Sequence, residues 1–318
     1  MKNLKRLTFD GKIVMHPDKK LKVAILGSGN IGTDLLIKCM RSQVLDCTYF
    51  IGRNMTSSGI VKAQSLGVRV SDKSIQAIID EPESCDLVFD ATSAKDAIQH
   101  WSILKPMNKV VLDMTPAKIG IMCIPAVNID EALEHQNINM VTCGGQASAP
   151  MAYVIGQAIK DVEYVEVVSS IASRSAGPAT RANLDEYIET TEAAIKQFSR
   201  STNTKAILNL NPALPCIDMQ TTVFAKVKNP DMDKLISAIK QMVDKIQAYV
   251  PGYNLLVTPI YEHGRIAVLV KVQGLGDYLP KFAGNLDIIN CAAIAVAEKY
   301  AQKLFNLENS HITKAGTS

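Results

Sequence analysis

In the first half of the chain the apolar positions come in short bursts, separated by stretches with helical spacing. Lys22–Leu26 (KVAIL) is one such burst; Gly27-Ser28-Gly29-Asn30-Ile31-Gly32 follows at once, and Thr33–Met40 continues with apolar positions on one helical face. This pattern predicts a strand, a glycine turn and a helix in succession. Further strand-like runs fall at Cys47–Ile51, Gly67–Val70, Asp86–Asp90, Lys109–Asp113 and Asn139–Val141. Strands that alternate with helices build an open parallel sheet, so the predicted class is α/β.

The glycine turn is G-x-G-x-x-G in the context its chemistry needs, after a strand and at the opening of a helix. Gly27 makes the tight turn, Gly29 lets the backbone approach a pyrophosphate, and Gly32 lets helix and strand pack closely. Ser28, Asn30 and Ile31 complete the loop, whose free N–H groups and positive helix end suit phosphates. Asp90-Ala91-Thr92-Ser93 ends another strand, where such sheets open their ligand crevice. Thr92 and Ser93 read equally well as cofactor contacts or as an ordinary helix cap.

The second strand ends at Ile51-Gly52-Arg53-Asn54, without the acid that usually holds the ribose hydroxyls of NAD. Arg53 there predicts that NADP is accepted beside NAD; the alternative is a solvated Arg53 with Asn54 on the ribose.

Composition narrows the picture further. The 318 residues are 47% hydrophobic and 20% charged with a formal net charge of +3, which suits a globular protein of about two domains. No basic block asks for nucleic acid or a membrane surface, and no apolar run reaches the ~18–20 residues of a membrane helix. Residues 1–20 lack the apolar stretch of a signal peptide, and the seven cysteines are scattered, never C-x-x-C. A reducing cytoplasm is therefore expected, and with five isolated histidines no metal site is.

In Thr142-Cys143-Gly144-Gly145-Gln146-Ala147 a cysteine sits in a glycine-flanked turn, ahead of a helical stretch predicted over Ala152–Asp161. Amides at a helix N-terminus favour thiolate and can form an oxyanion hole, so Cys143 is the candidate nucleophile; the other six cysteines are read as small buried hydrophobes.

The stretches GSGNIGTDLLIK (27–38), DATSA (90–94), TCGGQA (142–147), SAGPATRANLDEY (175–187) and YLPKFAGNLDI (278–288) closely resemble the acylating acetaldehyde dehydrogenases that partner a 4-hydroxy-2-oxoacid aldolase. The likeness runs from about Leu21 to Ala301. It implies a glyceraldehyde-3-phosphate-dehydrogenase-like fold: an N-terminal extension (1–20), a Rossmann-type dinucleotide-binding domain (21–142) and an α+β catalytic and dimerisation domain (143–285). A last helix, about 286–304, would complete the first domain, with a tail over 305–318. The implied chemistry joins a short-chain aldehyde and coenzyme A into an acyl-CoA thioester through a Cys143 thioester, with NAD or NADP. Asn183 and Asn285 fall on family asparagines, although on pattern alone each is also a cap or turn residue. Ser175, Gly177 and Thr180 either form the loop or touch the cofactor. A homodimer and an aldolase partner follow from the resemblance only.

The chain departs from that family in three places. Thr221 stands where relatives carry an acid, and Asp218 is out of register with it on the strand. The segment between Tyr253 and Tyr278 is shorter, and the acid after the second strand is absent. These departures leave two alternatives beside the leading reading: a thioester reductase acting on a carrier-bound acyl group, and a non-catalytic partner subunit. A phosphorylating or non-acylating dehydrogenase of the same fold is a further reading; the lack of an obvious histidine partner for Cys143 weighs against it, with His263 the remote candidate.

Overall fold

The strand–helix alternation builds a first sheet in the computed structural model, which describes residues 19–315. The expected N-terminal extension therefore lies outside the described residues, except for Lys19 and Lys20. Chain order runs β1 (Leu21–Leu26), α1 (Asn30–Arg41), β2 (Leu45–Ile51), α2 (Ser58–Ser65), β3 (Val70–Ser71), α3 (Gln76–Asp80), β4 (Leu87–Asp90), α4 (Ala94–Leu104), β5 (Val110–Asp113), β6 (Ile121–Met122), α5 (Pro125–Ala132) and β7 (Asn137–Asn139). All seven strands pair in parallel in the order β3-β2-β1-β4-β5-β7-β6. The order reverses beside β1, and Leu26 lies level with both Ile51 and Asp90. Three strand ends thus open onto one crevice, the usual ligand position in such sheets.

Two strands are displaced from their predicted positions. β3 begins at Val70 because Gly67, with φ +76°, turns the chain out of α2. β7 stops at Asn139 because Val141 adopts φ +62°, which breaks an extended strand.

The second half contributes α6 (Cys143–Ala158), β8 (Tyr164–Ala172), α7 (Pro178–Ala182), α8 (Leu184–Ser199), β9 (Asn203–Asn211), β10 (Met219–Lys226), α9 (Met232–Gln247), β11 (Tyr253–Leu255), β12 (Ile260–Glu262), β13 (Arg265–Val272) and α10 (Gly284–Ala315). Its sheet has the order β11-β13-β10-β8-β9, with β12 also on β13; β8 and β9 are parallel and the other pairs antiparallel. Period-two alternation sorts its faces. Val165, Val167, Ile171, Met219, Val223, Val268 and Val270 point inward onto residues of α6 and α9. Each such burial contributes roughly 1.5–3 kcal/mol relative to exposure. The opposite face, with Val168, Ile207, Phe224 and Leu269, is only half-buried.

α10 starts at Gly284 and runs to Ala315, well past the Leu304 at which the predicted helix ended. It returns to the first sheet through Ile289, Ala292, Ala293, Val296, Ala297 and Ala301, which join that core. Small alanines allow close approach to α1. Among the described residues no helix is long and apolar enough to cross a membrane.

Candidate active site

One cavity of about 890 Å³ opens beyond the strand ends and reaches into the second half of the molecule. Gly27, Ser28, Gly29, Asn30 and Ile31 form one wall. The three glycines differ in what surrounds them. A Cβ on Gly27 would meet the Ala91 carbonyl oxygen at 2.4 Å, and one on Gly32 the Gly27 carbonyl at 1.9 Å, so both are required for packing. Gly29 has nothing within 4 Å of a Cβ position: a side chain there would stand in the open cavity. That is the cradle a pyrophosphate needs, with the N-terminus of α1 behind it.

Cys143 lines the same cavity. The expected glycine turn is absent: Cys143 is itself the first residue of α6, which continues through Pro150 to Ala158. The cause is the cap. Thr142 Oγ1 accepts from the Gly145 amide at 2.9 Å and bonds Thr191 Oγ1 at 2.7 Å, while the Thr142 carbonyl accepts from Gln146 N at 2.8 Å. Val141, a β-branched residue held in the left-handed region, makes the elbow that presents this helix start to the cavity. The backbone N–H groups of Cys143 and Gly144 both act on the sulfur.

The helix terminus alone does not make this thiol acidic, as the sequence pattern suggested. Cys143 is only 9% exposed, and burial pushes its pKa above the ordinary thiol value. The Tyr187 hydroxyl and the two amides pull the other way without prevailing. Cys143 Sγ lies 3.6 Å from Tyr187 Oη, in hydrogen-bond contact. Tyr187, from α8, is deeply buried and stays neutral, its pKa raised by burial first and by Cys143 next. The pair can meet because residue 144 is glycine: a Cβ there would lie 2.2 Å from the Tyr187 oxygen.

Asn183 and Asn285 line the same cavity, as do Arg53, Asn54, Thr92, Ser93, Gly177 and Thr180. Asn183 joins α7 to α8, and Asn285 is the second residue of α10. The Asn285 amide oxygen is buried and has no hydrogen-bond partner, so it is available to an N–H donor such as a carboxamide. Ser93 does cap α4, accepting from Asp96 N at 3.2 Å, and Thr92 is tied to Asp90. Arg53 is exposed, 3.8 Å from Asp96, and Asn54 accepts from Thr56 in a local turn.

The remaining candidates are placed as follows. Ser175 does not line the cavity; it is buried and its hydroxyl donates to the Ala172 carbonyl at 2.8 Å, so it shapes the loop. His263 sits in the exposed turn between β12 and β13, away from this cavity, and cannot serve Cys143. Cys47 and Cys216 are only partly buried, unlike the remaining cysteines, though Cys47 still packs against the core of the first sheet. Thr221 is buried and bonds Ser169 Oγ at 2.9 Å, whereas Asp218 pairs with Gln273 and Lys271 at the outer face. Sequence reasoning missed Tyr187 and His100. The latter lines the cavity with Nδ1 2.7 Å from Asp90 Oδ2.

Comparison with known proteins agrees with this architecture. A family model described as prokaryotic acetaldehyde dehydrogenase, dimerisation, matches residues 143–280. The acetaldehyde dehydrogenase of Pectobacterium atrosepticum is 60% identical over 283 residues, covering 88% of this chain and 96% of that protein. That of Spirochaeta aurantia is 62% identical, covering 89% and 96%. Among solved structures, aspartate semialdehyde dehydrogenase II of Vibrio cholerae, at 14% identity, superposes with a TM-score of 0.60 over 91% of this chain and 99% of that one. At that identity the likeness speaks for the fold.

Proposed function

The chain belongs to the acetaldehyde dehydrogenase family, and we propose on that premise that it is the acylating type, joining a short aldehyde to coenzyme A through a thioester on Cys143. Family membership makes it an oxidoreductase acting on an aldehyde, and the dehydrogenase family together with the fold supports a nicotinamide dinucleotide as its cofactor. The observation that carries the finer reading is that Cys143, at a capped helix start, shares one cavity with the glycine loop.

The dinucleotide fits that cavity on two counts: the open cradle at Gly29 and the unpartnered Asn285 oxygen. Gly27–Ile31 and the N-terminus of α1 would hold its pyrophosphate, Asn54 or Arg53 its adenosine ribose, and Asn285 its carboxamide. When bound, the nicotinamide supplies the hydride acceptor for the oxidation step. The rest falls to the chain. The Cys143 sulfur, once it has lost its proton, adds to the aldehyde carbonyl, and the first amides of α6 stabilise the oxyanion. Oxidation of that thiohemiacetal leaves an acyl group on sulfur. Coenzyme A thiolate attacks this thioester, the tetrahedral adduct collapses, and the Cys143 thiolate departs. Asn183, which lines the same cavity, would orient the acyl carbonyl.

The half-buried face of the second sheet supports a homodimer built through Val168, Phe224 and Leu269. Arg53 beside the cavity supports acceptance of NADP. An aldolase partner follows from the family resemblance, and co-purification with the aldolase tests it. The test of the main reading is nicotinamide reduction with acetaldehyde, with and without coenzyme A, in wild type and Cys143→Ala. Turnover that needs coenzyme A and disappears in the variant is expected; turnover retained by Cys143→Ala removes the reading.

A further inference from the structure

Thr221, on the strand beside the site's β8, is buried and its hydroxyl is bonded to Ser169. No carboxylate acts on the Cys143 thiol among the described residues. Tyr187 faces the sulfur from α8 at 3.6 Å, Asn285 shares the cavity wall from α10, and Ser169 from β8 packs behind Gly144. The ionisable side chains of the cavity wall besides Cys143 and Tyr187, namely Arg53, Asp96 and His100, follow β2 and β4 on the first sheet's side, and none figures among the influences on the thiol. Tyr187 is thus the single side chain that hydrogen-bonds the sulfur among the described residues.

We propose that Tyr187 is a catalytic residue of this chain, governing the protonation of Cys143 through its hydrogen bond to the sulfur. In the resting site the Cys143 S–H donates to the Tyr187 oxygen. When the thiol proton passes to water in the cavity, the phenol keeps its own proton and turns its O–H to donate to the thiolate. The direction of the hydrogen bond reverses, the proton leaves to solvent, and no other side chain changes charge. A hydrogen bond to an ionised partner is stronger than one to its neutral form, so the contact favours the thiolate. A base would need to ionise, which burial denies to this phenol. A donor that stays neutral does not, and the role suits a tyrosine that the protein has enclosed against Gly144.

The inference rests on Cys143 as the nucleophile, and its test is separable from that reading. Iodoacetamide alkylation of Cys143, read by mass spectrometry of its peptide across a pH series, needs neither aldehyde, cofactor nor coenzyme A. In full-length Tyr187→Phe the midpoint should rise by about one pH unit, and the rate near neutral pH should fall about tenfold while the alkaline plateaus converge. A tyrosine with only a packing role would change the rate equally at all pH values. An unmoved midpoint overturns the proposal. Should the Phe variant fail to fold, a fluorinated tyrosine at position 187 keeps the shape and donates more strongly: a lowered midpoint supports the proposal, and an unchanged one overturns it. If instead Cys143→Ala retains coenzyme-A-dependent turnover, the nucleophile reading fails, whatever the alkylation curves show.

Discussion

The Lys38 ammonium donates to Asp287 at 2.8 Å, tying the helix under the glycine loop to the helix that carries Asn285. The same ammonium meets Asp34 at 2.6 Å and Asp277 at 3.2 Å, and Arg41 shares Asp277. Burial works to lower the Lys38 pKa, but Asp287, Asp34 and Cys291 raise it further, so the residue stays charged. One cation thus holds three carboxylates together, and through them α1 and the start of α10, both of which border the cavity.

Replacing Lys38 by Met should leave Asp34 and Asp287 buried without their cation, while Asp277 keeps Arg41. A loss of about 3–5 kcal/mol in unfolding free energy is expected by urea titration, with weaker dinucleotide binding. A variant as stable as wild type would show that the cluster is not a structural tie.

Asp113 sets a pH dependence of stability. Burial pushes its pKa up to about 7 against an ordinary 3.8, although Thr115 and Asn139 donate to it and pull it down. Between those two values the folded chain binds more protons than the unfolded one, so this group makes stability fall as pH rises. The contribution is up to about 4 kcal/mol across the window, absent below it and constant above it. Asp113→Asn should flatten that part of the stability–pH curve; an identical slope in both proteins would contradict it.

Much of this was legible in the chain, and the rest was not, for physical reasons. The glycine loop is local: strand, turn and helix lie within about twenty residues, and each glycine has a steric role that spacing alone reveals. Cys143 stood out among its glycines, but the helix start was misread as a turn. Gly144 is there to admit Tyr187, a partner 44 residues away that only the packing of α6 on α8 brings near. Lys38 and Asp287 are 249 positions apart, and nothing in the sequence couples them. Ser175 fell in the motif that gives the cavity Gly177, yet its hydroxyl turns back to its own loop.

The dimer should depend on the open sheet face. Phe224→Glu places a charge where the partner would bury an aromatic ring. Sedimentation should show monomer at concentrations where wild type is dimeric, and an unchanged dimer would move the interface elsewhere.

Cofactor choice should depend on Arg53. Arg53→Ala is expected to lower kcat/KM with NADP about tenfold, the loss of one exposed charge–phosphate contact, with little change for NAD. Equal effects on both would assign Arg53 to solvent.

The central claim, an acyl group carried on Cys143, can be tested without any redox step. Incubated with acetyl-coenzyme A alone, the wild-type enzyme should acquire an acetyl group on the peptide containing Cys143, releasing coenzyme A, and should lose it again when free coenzyme A is added. An unmodified Cys143 peptide, or acetylation located only on another residue, would contradict the account.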